Sequence, residues 1–192
     1  MTIQIDNATR DMKAIFAVLG ADVEAARTYG KTDPSPFAHR TLFRSYFALV
    51  EGLCYQFRKI ALACGEYDNR LLTPEEITLL REQKYSLNKK GIPEPTVEYH
   101  RLLPSMLFSM RCYAKVHGAS FEPDTSVQGW NSMQAFVQIR NGLEHPKSVA
   151  DLELNDEQLR SAVEAATWWK ATVLRLFEVC RESDEYWKAK LA

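Results

Sequence analysis

The sequence predicts an all-α fold, in the form of an antiparallel bundle of about five to six helices. Apolar residues recur at helical spacing over long stretches, Gly and Pro fall mostly between those stretches, and no segment has a convincing strand pattern. The connections are short, which favours antiparallel packing of consecutive helices. We expect a single helical domain over residues 1–192, with a bundle at 36–181 preceded by a helix and linker at 1–35.

The first two predicted helices cover residues 7–29 and 36–64. The first ends at Gly30, before a proline-rich linker. The second carries an apolar stripe wide enough to indicate burial on more than one side, so we expect it to be the central helix. Arg44 and Glu51 are seven residues apart on one face of this helix. They are either part of a supporting ion-pair network or a solvated edge.

The third predicted helix begins with a capping box, in which Thr73 is the N-cap and Glu76 the third helical residue. It should end near Gly91, since glycine is common just after a helix. The fourth predicted helix covers residues 96–117. Pro104 lies inside it and should kink or divide it.

The fifth predicted helix begins at Asn131 as its N-cap and is stopped by Pro146. A residue before proline is disfavoured in the helical region, so His145 should lie at the helix end. The sixth predicted helix begins at Asn155, with Gln158 completing a capping box, and runs towards the C-terminus.

The composition restricts the classes of function. The chain has 24 basic and 25 acidic residues and a formal net charge of -1, so it lacks the basic excess of a protein that coats nucleic acid. This balance does not exclude an enzyme that holds one or two phosphates. The four cysteines are widely spaced, which indicates buried free thiols rather than disulfides or zinc ligands. We expect a cytoplasmic protein with no membrane span, no metal and no cofactor.

The residues most indicative of chemistry are Arg140-Asn141-Gly142-Leu143-Glu144-His145-Pro146. Histidine is the side chain that most readily exchanges a proton near neutral pH. An arginine fork can hold two phosphate oxygens and stabilise charge that builds at phosphorus. RNA carries its own nucleophile, the 2′-hydroxyl. One histidine and one arginine could therefore cleave RNA without a metal ion.

The spacing of this pair is not specific by itself, because Arg111 and His117 form a second pair at similar spacing. In a regular helix, residues five apart point about 140° away from each other. Arg140 and His145 therefore converge only if the helix unwinds near Gly142 or Pro146, or if the long arginine side chain wraps around. Alternatively, Arg140 pairs with Glu144 four residues later on the helix surface, and His145 is only a cap.

The Arg140-Asn141-x-x-x-His145 stretch, in a helical chain and before a long terminal helix, resembles the motif of the HEPN superfamily (higher eukaryotes and prokaryotes nucleotide-binding). In that family an Arg is followed after four to six residues by a His, often with a polar residue directly after the Arg. Residues 44–52, RSYFALVEG, also look like the early helix of several prokaryotic members. The resemblance covers roughly residues 36–181.

The resemblance implies an HEPN-like bundle and a metal-independent endoribonuclease that cleaves single-stranded RNA, as in toxin–antitoxin or phage-defence systems. It also implies a homodimer that brings two Arg–His pairs into one cleft, and an antitoxin or defence partner. In this chain Arg140 would hold the scissile phosphate and His145 would transfer protons. Asn141 and Lys147 would bind or orient the substrate, with Glu51 and Arg44 as supporting residues. Glu144 departs from expectation, because it adds negative charge next to the phosphate site.

Two other classes of function stay open. The first is a non-catalytic helical interaction or dimerisation module, which the near-neutral charge and the aromatic-rich terminal helix favour. The second is a bundle that binds a small molecule or nucleotide. No P-loop, GxGxxG, HExxH or GxSxG sequence is present, so an ATPase, dehydrogenase, zinc protease or serine hydrolase is poorly supported.

Overall fold

The computed structural model describes residues 3–191, and these contain six α-helices, a two-strand sheet and one 3-10 turn. The helices are α1 (Ile3–Thr32), α2 (Pro36–Tyr67), α3 (Pro74–Leu80), α4 (Leu102–Val116), α5 (Gln128–Glu144) and α6 (Asp156–Leu191). The strands β1 (Gln83–Leu87) and β2 (Pro93–Val97) follow α3, and the 3-10 turn (Val149–Leu152) follows α5. The predicted all-α helical class is confirmed.

Two predicted helix starts are confirmed by their capping bonds. Thr73 Oγ1 accepts from the Glu76 amide at 3.2 Å, and a Glu76 carboxylate oxygen accepts from the Thr73 amide at 2.7 Å. At α6, Asn155 Oδ1 accepts from the Gln158 amide and Gln158 Oε1 accepts from the Asn155 amide, both at 2.9 Å. In each case two amides that have no partner within the helix are satisfied reciprocally.

Two other details of the predicted helices are wrong. Pro104 does not divide α4, because it lies in the first turn, where amides have no intrahelical partner to lose. Asn131 is not an N-cap, because α5 begins three residues earlier, with Val127 as the residue before it. The Asn131 side-chain amide instead lies 3.5 Å from the Gln128 side-chain oxygen.

The predicted third helix is wrong beyond Leu80, where a β-hairpin takes its place. Glu82 has a positive φ of 51° and turns the chain from α3 into β1. The two strands pair antiparallel, with Gln83 opposite Val97. The signal in the sequence was weak because each strand has only five residues, and prolines within the second argue against a strand.

The hairpin loop is closed by one asparagine side chain. Asn88 Oδ1 accepts from the amides of Lys90 at 2.9 Å and Ile92 at 3.0 Å, and its Nδ2 donates to Glu94 at 2.6 Å. Gly91 has a φ of 73°, in the left-handed region that glycine adopts without strain. Gly91, which was expected to end a helix, therefore lies in the hairpin loop between Leu87 and Pro93.

The described chain divides into two compact units. The hairpin unit comprises residues 3–12, 54–122 and 178–191, and the motif unit comprises residues 13–53 and 123–177. The Arg140–Pro146 stretch belongs to the motif unit. The prediction of a single domain over the whole chain stays a prediction.

The hairpin unit has a core in which α3 packs with neighbouring helices. Its buried members Ala61, Leu72, Leu80 and Cys112 contact the partly buried residues Leu62, Leu71, Ile77, Phe108 and Val116. The Phe57 and Tyr113 rings lie 4.9 Å apart beside this core. No disulfide joins the cysteines Cys54, Cys64, Cys112 and Cys180, as the sequence predicts, although Cys64 is only partly buried. Burial raises the pKa of Cys112 and of Cys180 to about 12, which keeps both thiols protonated.

The motif unit is organised around aromatic residues of α2, α5 and α6. Phe136 is almost fully buried, and its ring centroid lies 4.9 Å from that of Phe43 and 5.5 Å from that of Phe47. Trp168 packs 5.2 Å from Trp130, and its indole Nε1 donates to the Asp124 carbonyl at 2.9 Å. This aromatic packing fixes α5 against α2 and α6, and so fixes the position of the α5 end.

The close approach of α5 to Trp168 gives a stability test. A Cβ added at Gly129 would lie 2.5 Å from the Trp168 Cβ, whereas one added at Gly20 of α1 meets nothing within 4 Å. We expect Gly129→Ala to destabilise the protein by about 1–3 kcal/mol through overpacking. Gly20→Ala should stabilise it by about 0.5–1 kcal/mol through helix propensity. Urea unfolding measures both, and a stabilising Gly129→Ala would contradict the packing described.

Candidate functional site

The C-terminal end of α5 forms where the sequence predicts. His145 is the residue that follows the helix, with φ of -129° and ψ of 58°, and its amide donates to the Asn141 carbonyl at 3.1 Å. Pro146 follows, which disfavours a helical conformation for the residue before it. The His145 side chain is exposed, so its imidazole lies in solvent at the end of the helix.

The helix is regular through Gly142, so the unwinding that could have brought Arg140 and His145 together does not occur there. A regular helix turns residues five apart away from each other by about 140°. Accordingly, no hydrogen bond joins Arg140 to His145 within the residues that the structure describes. The two side chains of the motif are therefore not hydrogen-bonded to each other within one chain.

Arg140 is held by three groups around its guanidinium. Its Nη2 lies 3.3 Å from a Glu51 carboxylate oxygen, and its Nη1 donates to Asn141 Oδ1 at 3.3 Å. Its guanidinium carbon lies 4.9 Å from the centroid of the Phe47 ring, in a cation–π contact. The side chain is 29% exposed, so the fork is oriented by α2 but remains accessible from solvent.

Arg44 occupies the other charged position beside the helix end. Its Nη2 donates to the Leu143 carbonyl at 2.9 Å, and its Nε lies 3.2 Å from Glu144 Oε1. The last turn of α5 has no basic residue of its own, so Arg44 supplies the positive charge that favours a helix C-terminus. The expected alternative pair between Arg140 and Glu144 is wrong, since each of these residues pairs with α2 instead.

The chain after His145 folds back through one carboxylate. Asp151 Oδ2 accepts from the amides of Lys147 at 2.7 Å and Ser148 at 2.8 Å. These two bonds, the Lys147 amide first, lower the pKa of Asp151. Arg40 of α2 donates to the Leu152 carbonyl at 3.0 Å and so ties down the end of the 3-10 turn. The Lys147 side chain itself is exposed beside the helix end.

The structure adds residues that sequence reasoning missed. Four residues of α2, spaced four, three and four apart, contact the end of α5 or the chain that follows it: Arg40, Arg44, Phe47 and Glu51. Helical spacing could have grouped Arg40 and Phe47 with the predicted pair of Arg44 and Glu51. The Ser148-x-x-Asp151 spacing of a capping box was the available signal for Asp151.

The electrostatics of the site depend on Glu51. Burial is the main cause that raises its pKa, the Arg140 guanidinium opposes this, and the Glu144 carboxylate raises the pKa further. The charged form of Glu51 is therefore less favoured than in water. An anion that approaches Arg140 competes with a carboxylate that is only weakly stabilised.

No metal ligand set supports this site: residues 3–191 hold no group of three His, Cys, Asp or Glu side chains that could bind a metal ion. The helices within the same described range also lack the combination of length and apolar character that a bilayer span requires. Comparison of the chain with family models, with curated proteins and with solved structures gives no match.

The raised pKa of Glu51 predicts a pH dependence of stability. A carboxyl whose pKa is higher folded than unfolded binds more protons in the native state, so its contribution becomes less favourable as pH rises. Relative to Glu51→Gln, the wild-type protein should lose stability from about pH 4.5, the ordinary value of Glu, upward through the raised pKa.

Urea unfolding of both proteins across this pH range measures the difference. Glu144→Gln is the matched control, because removing this neighbouring charge should move the transition to lower pH. A difference that instead grows in favour of the wild-type protein with rising pH contradicts the electrostatics described.

Proposed function

We propose that the chain is a metal-independent endoribonuclease that cleaves single-stranded RNA at a site shared by two copies. The observation that carries this proposal is the arrangement at the α5 end, where an oriented, accessible Arg140 and a solvent-exposed His145 lie on one short segment. The resemblance of residues 140–145 to the HEPN motif supports the same reaction class.

The need for a second copy follows from the regular helix. Arg140 contacts Glu51 and Phe47 of α2 and forms no hydrogen bond with the exposed His145 of its own chain. A two-fold arrangement of two such ends can place the Arg140 of one copy opposite the His145 of the other. Each copy then contributes half of a symmetric cleft.

The proposed reaction is transesterification followed by release of product. The 2′-hydroxyl oxygen forms a bond to phosphorus and passes its proton to the imidazole of one His145. The bond from phosphorus to the 5′-oxygen breaks, and that oxygen takes a proton from the imidazolium of the other His145. Arg140 exchanges Glu51 for two phosphate oxygens and stabilises the charge that develops there. The products are a 2′,3′-cyclic phosphate and a 5′-hydroxyl, and proton exchange with water restores both imidazoles.

Asn141 and Lys147 have supporting roles in this proposal. The Asn141 side-chain oxygen accepts from Arg140 and so helps to orient the fork. The exposed Lys147 ammonium follows the helix end and can pair with a neighbouring phosphate. Arg44 is a positioning residue, because it holds the α5 C-terminus through Leu143 and Glu144.

We expect the purified protein to cleave single-stranded RNA in the presence of EDTA, with a 2′,3′-cyclic phosphate on the upstream product. His145→Ala should lower the rate at least about 100-fold, as loss of a general acid–base group does. His117→Gln is the matched control and should retain activity, since His117 belongs to the hairpin unit, where its ring lies 3.1 Å from the Asp184 carboxylate. Cleavage that persists in folded His145→Ala protein rejects this assignment.

Mixing of variants tests whether two copies share one cleft. If both imidazoles act in one reaction, a dimer that contains one His145→Ala copy is inactive. An equimolar mixture of wild-type and variant chains should then retain about a quarter of the wild-type activity, because random pairing leaves that share of intact dimers. Retention of about half would show that each copy acts alone.

A second candidate is a non-catalytic interaction module, which the pairing of both arginines with carboxylates favours. In that case the charges of the α5 end stabilise the bundle and bind no phosphate. Unchanged partner binding in an Arg140→Ala, His145→Ala double variant, together with absent RNA cleavage by the wild-type protein, would support this candidate over the ribonuclease.

A further inference from the structure

The β-hairpin of the hairpin unit has one apolar face and one polar face. Side chains alternate between faces along a strand, and the register places five apolar residues together: Tyr85, Leu87, Pro93, Pro95 and Val97. The opposite face carries Lys84, Ser86, Glu94 and Thr96. The apolar face is open to solvent, with Tyr85 55%, Leu87 71% and Val97 64% exposed. An exposed apolar face of this size can pack against another apolar surface.

The hydrogen-bonding pattern determines which backbone groups point outward. Asn88 donates to the Ile92 carbonyl at 3.0 Å, and Glu98 donates to the Glu82 carbonyl at 2.8 Å. In an antiparallel pair, bonded and non-bonded residue pairs alternate. The backbone groups of residues 84 and 86 therefore point towards β2. Those of residues 83, 85 and 87 point away from it.

The two outer edges of the hairpin differ in their capacity to pair. On the β2 edge, Pro93 and Pro95 occupy outward-facing positions and have no amide to donate. Prolines at such positions are a common device against strand addition. On the β1 edge, Gln83, Tyr85 and Leu87 each present an amide and a carbonyl. The two-strand sheet ends at β1 within the described residues, so this edge is available for one more strand.

We propose that β1 pairs antiparallel with β1 of a second copy of this chain, about a two-fold axis at Tyr85. In this register Tyr85 lies opposite the partner's Tyr85, and Gln83 lies opposite the partner's Leu87. Each outward-facing residue then exchanges backbone bonds with its opposite, because both edges carry the same alternation of donors and acceptors. The result is a continuous four-strand sheet with one extended apolar face.

Charge and register support a second copy as the occupant. With the axis at Tyr85, Lys84 lies opposite the partner's Ser86, so no like charges face each other. A register shifted by two residues towards Gln83 would place Lys84 opposite the partner's Lys84, which is unfavourable. A shift the other way would move Gln83 opposite the loop and lose its pairing. The pairing of Lys84 with Glu98 at 3.6 Å in its own chain further reduces the charge at the seam.

Side-chain contacts at both ends of the hairpin hold it in place. Glu82, which starts the hairpin, forms an ion pair with Arg58 of α2. The Asn88 side chain closes the other end through its bonds to Lys90, Ile92 and Glu94. The inference does not depend on the ribonuclease proposal, since it uses residues of the hairpin unit and none of the Arg140–Pro146 stretch.

Sedimentation equilibrium of the full-length chain tests the pairing through two opposite charge changes. Ser86→Lys places lysines opposite each other twice across the two-fold axis, so the dimer dissociation constant should rise by roughly tenfold. Ser86→Glu places a carboxylate opposite Lys84 twice, so the same constant should fall. A shift of both variants in the same direction rejects this register.

A backbone change tests the edge itself. Tyr85→Pro removes an amide that points away from β2, so the hairpin should persist while association through the β1 edge is lost. Tyr85→Thr is the matched control, because it keeps the amide and should remain dimeric with weakened packing. NMR shifts of Lys84 and Thr96 report whether the hairpin is intact.

Concentration-dependent protection of the Tyr85 amide from hydrogen exchange supports the proposal independently of any variant. A wild-type chain that stays monomeric up to about 1 mM overturns the proposal. The β1 edge would then be expected to pair with an extended segment of another protein. His145→Ala should leave this association unchanged. Loss of RNA cleavage with retained protection of the Tyr85 amide, or retained cleavage without that protection, thus separates the two proposals.

Discussion

The charge pairing between α2 and α5 is the constraint on which the candidate site depends. The last turn of α5 has no basic residue of its own, so its carbonyls and Glu144 need a positive partner, which Arg44 supplies. The same stripe of α2 supplies Glu51 as the partner of Arg140. Because each arginine is matched to a carboxylate from the other helix, α5 can carry charge at its end while Leu143 stays buried.

The strength of these ion pairs determines how readily Arg140 can release Glu51 and pair with another anion. Both pairs are substantially exposed, so each contributes roughly 0–1 kcal/mol after solvent screening. Burial and the nearby Glu144 make the charged form of Glu51 less favourable, which weakens its hold on Arg140. The contact with Phe47 orients the guanidinium without neutralising it. In the proposed ribonuclease, Arg140 therefore exchanges its carboxylate for a phosphate with little loss, while the Phe47 ring keeps its orientation.

The helices were largely predictable from sequence, and the hairpin was not. Capping boxes are local signals, so Thr73 and Asn155 marked helix starts correctly. Gly91 was expected to end a helix, because a glycine after basic residues fits a helix terminus as well as a hairpin loop. The difference lies in Glu82, whose left-handed backbone conformation turns the chain before β1, and in the Asn88 side chain that closes the loop. Neither feature has a pattern that sequence periodicity can detect.

Only those features of the site that depend on neighbouring residues could be predicted from the sequence. Pro146 fixed the helix end at His145, but the partner of Arg140 is Glu51, 89 residues away, and only the fold decides between it and the nearby Glu144. Arg140 also forms no hydrogen bond with His145 in its own chain, a point that the spacing left open. A motif divided in this way has no complete cleft within one helix end. In the proposed ribonuclease a second copy brings its imidazole to the guanidinium, so in that proposal assembly, and not local sequence alone, determines whether the α5 end acts on a phosphate.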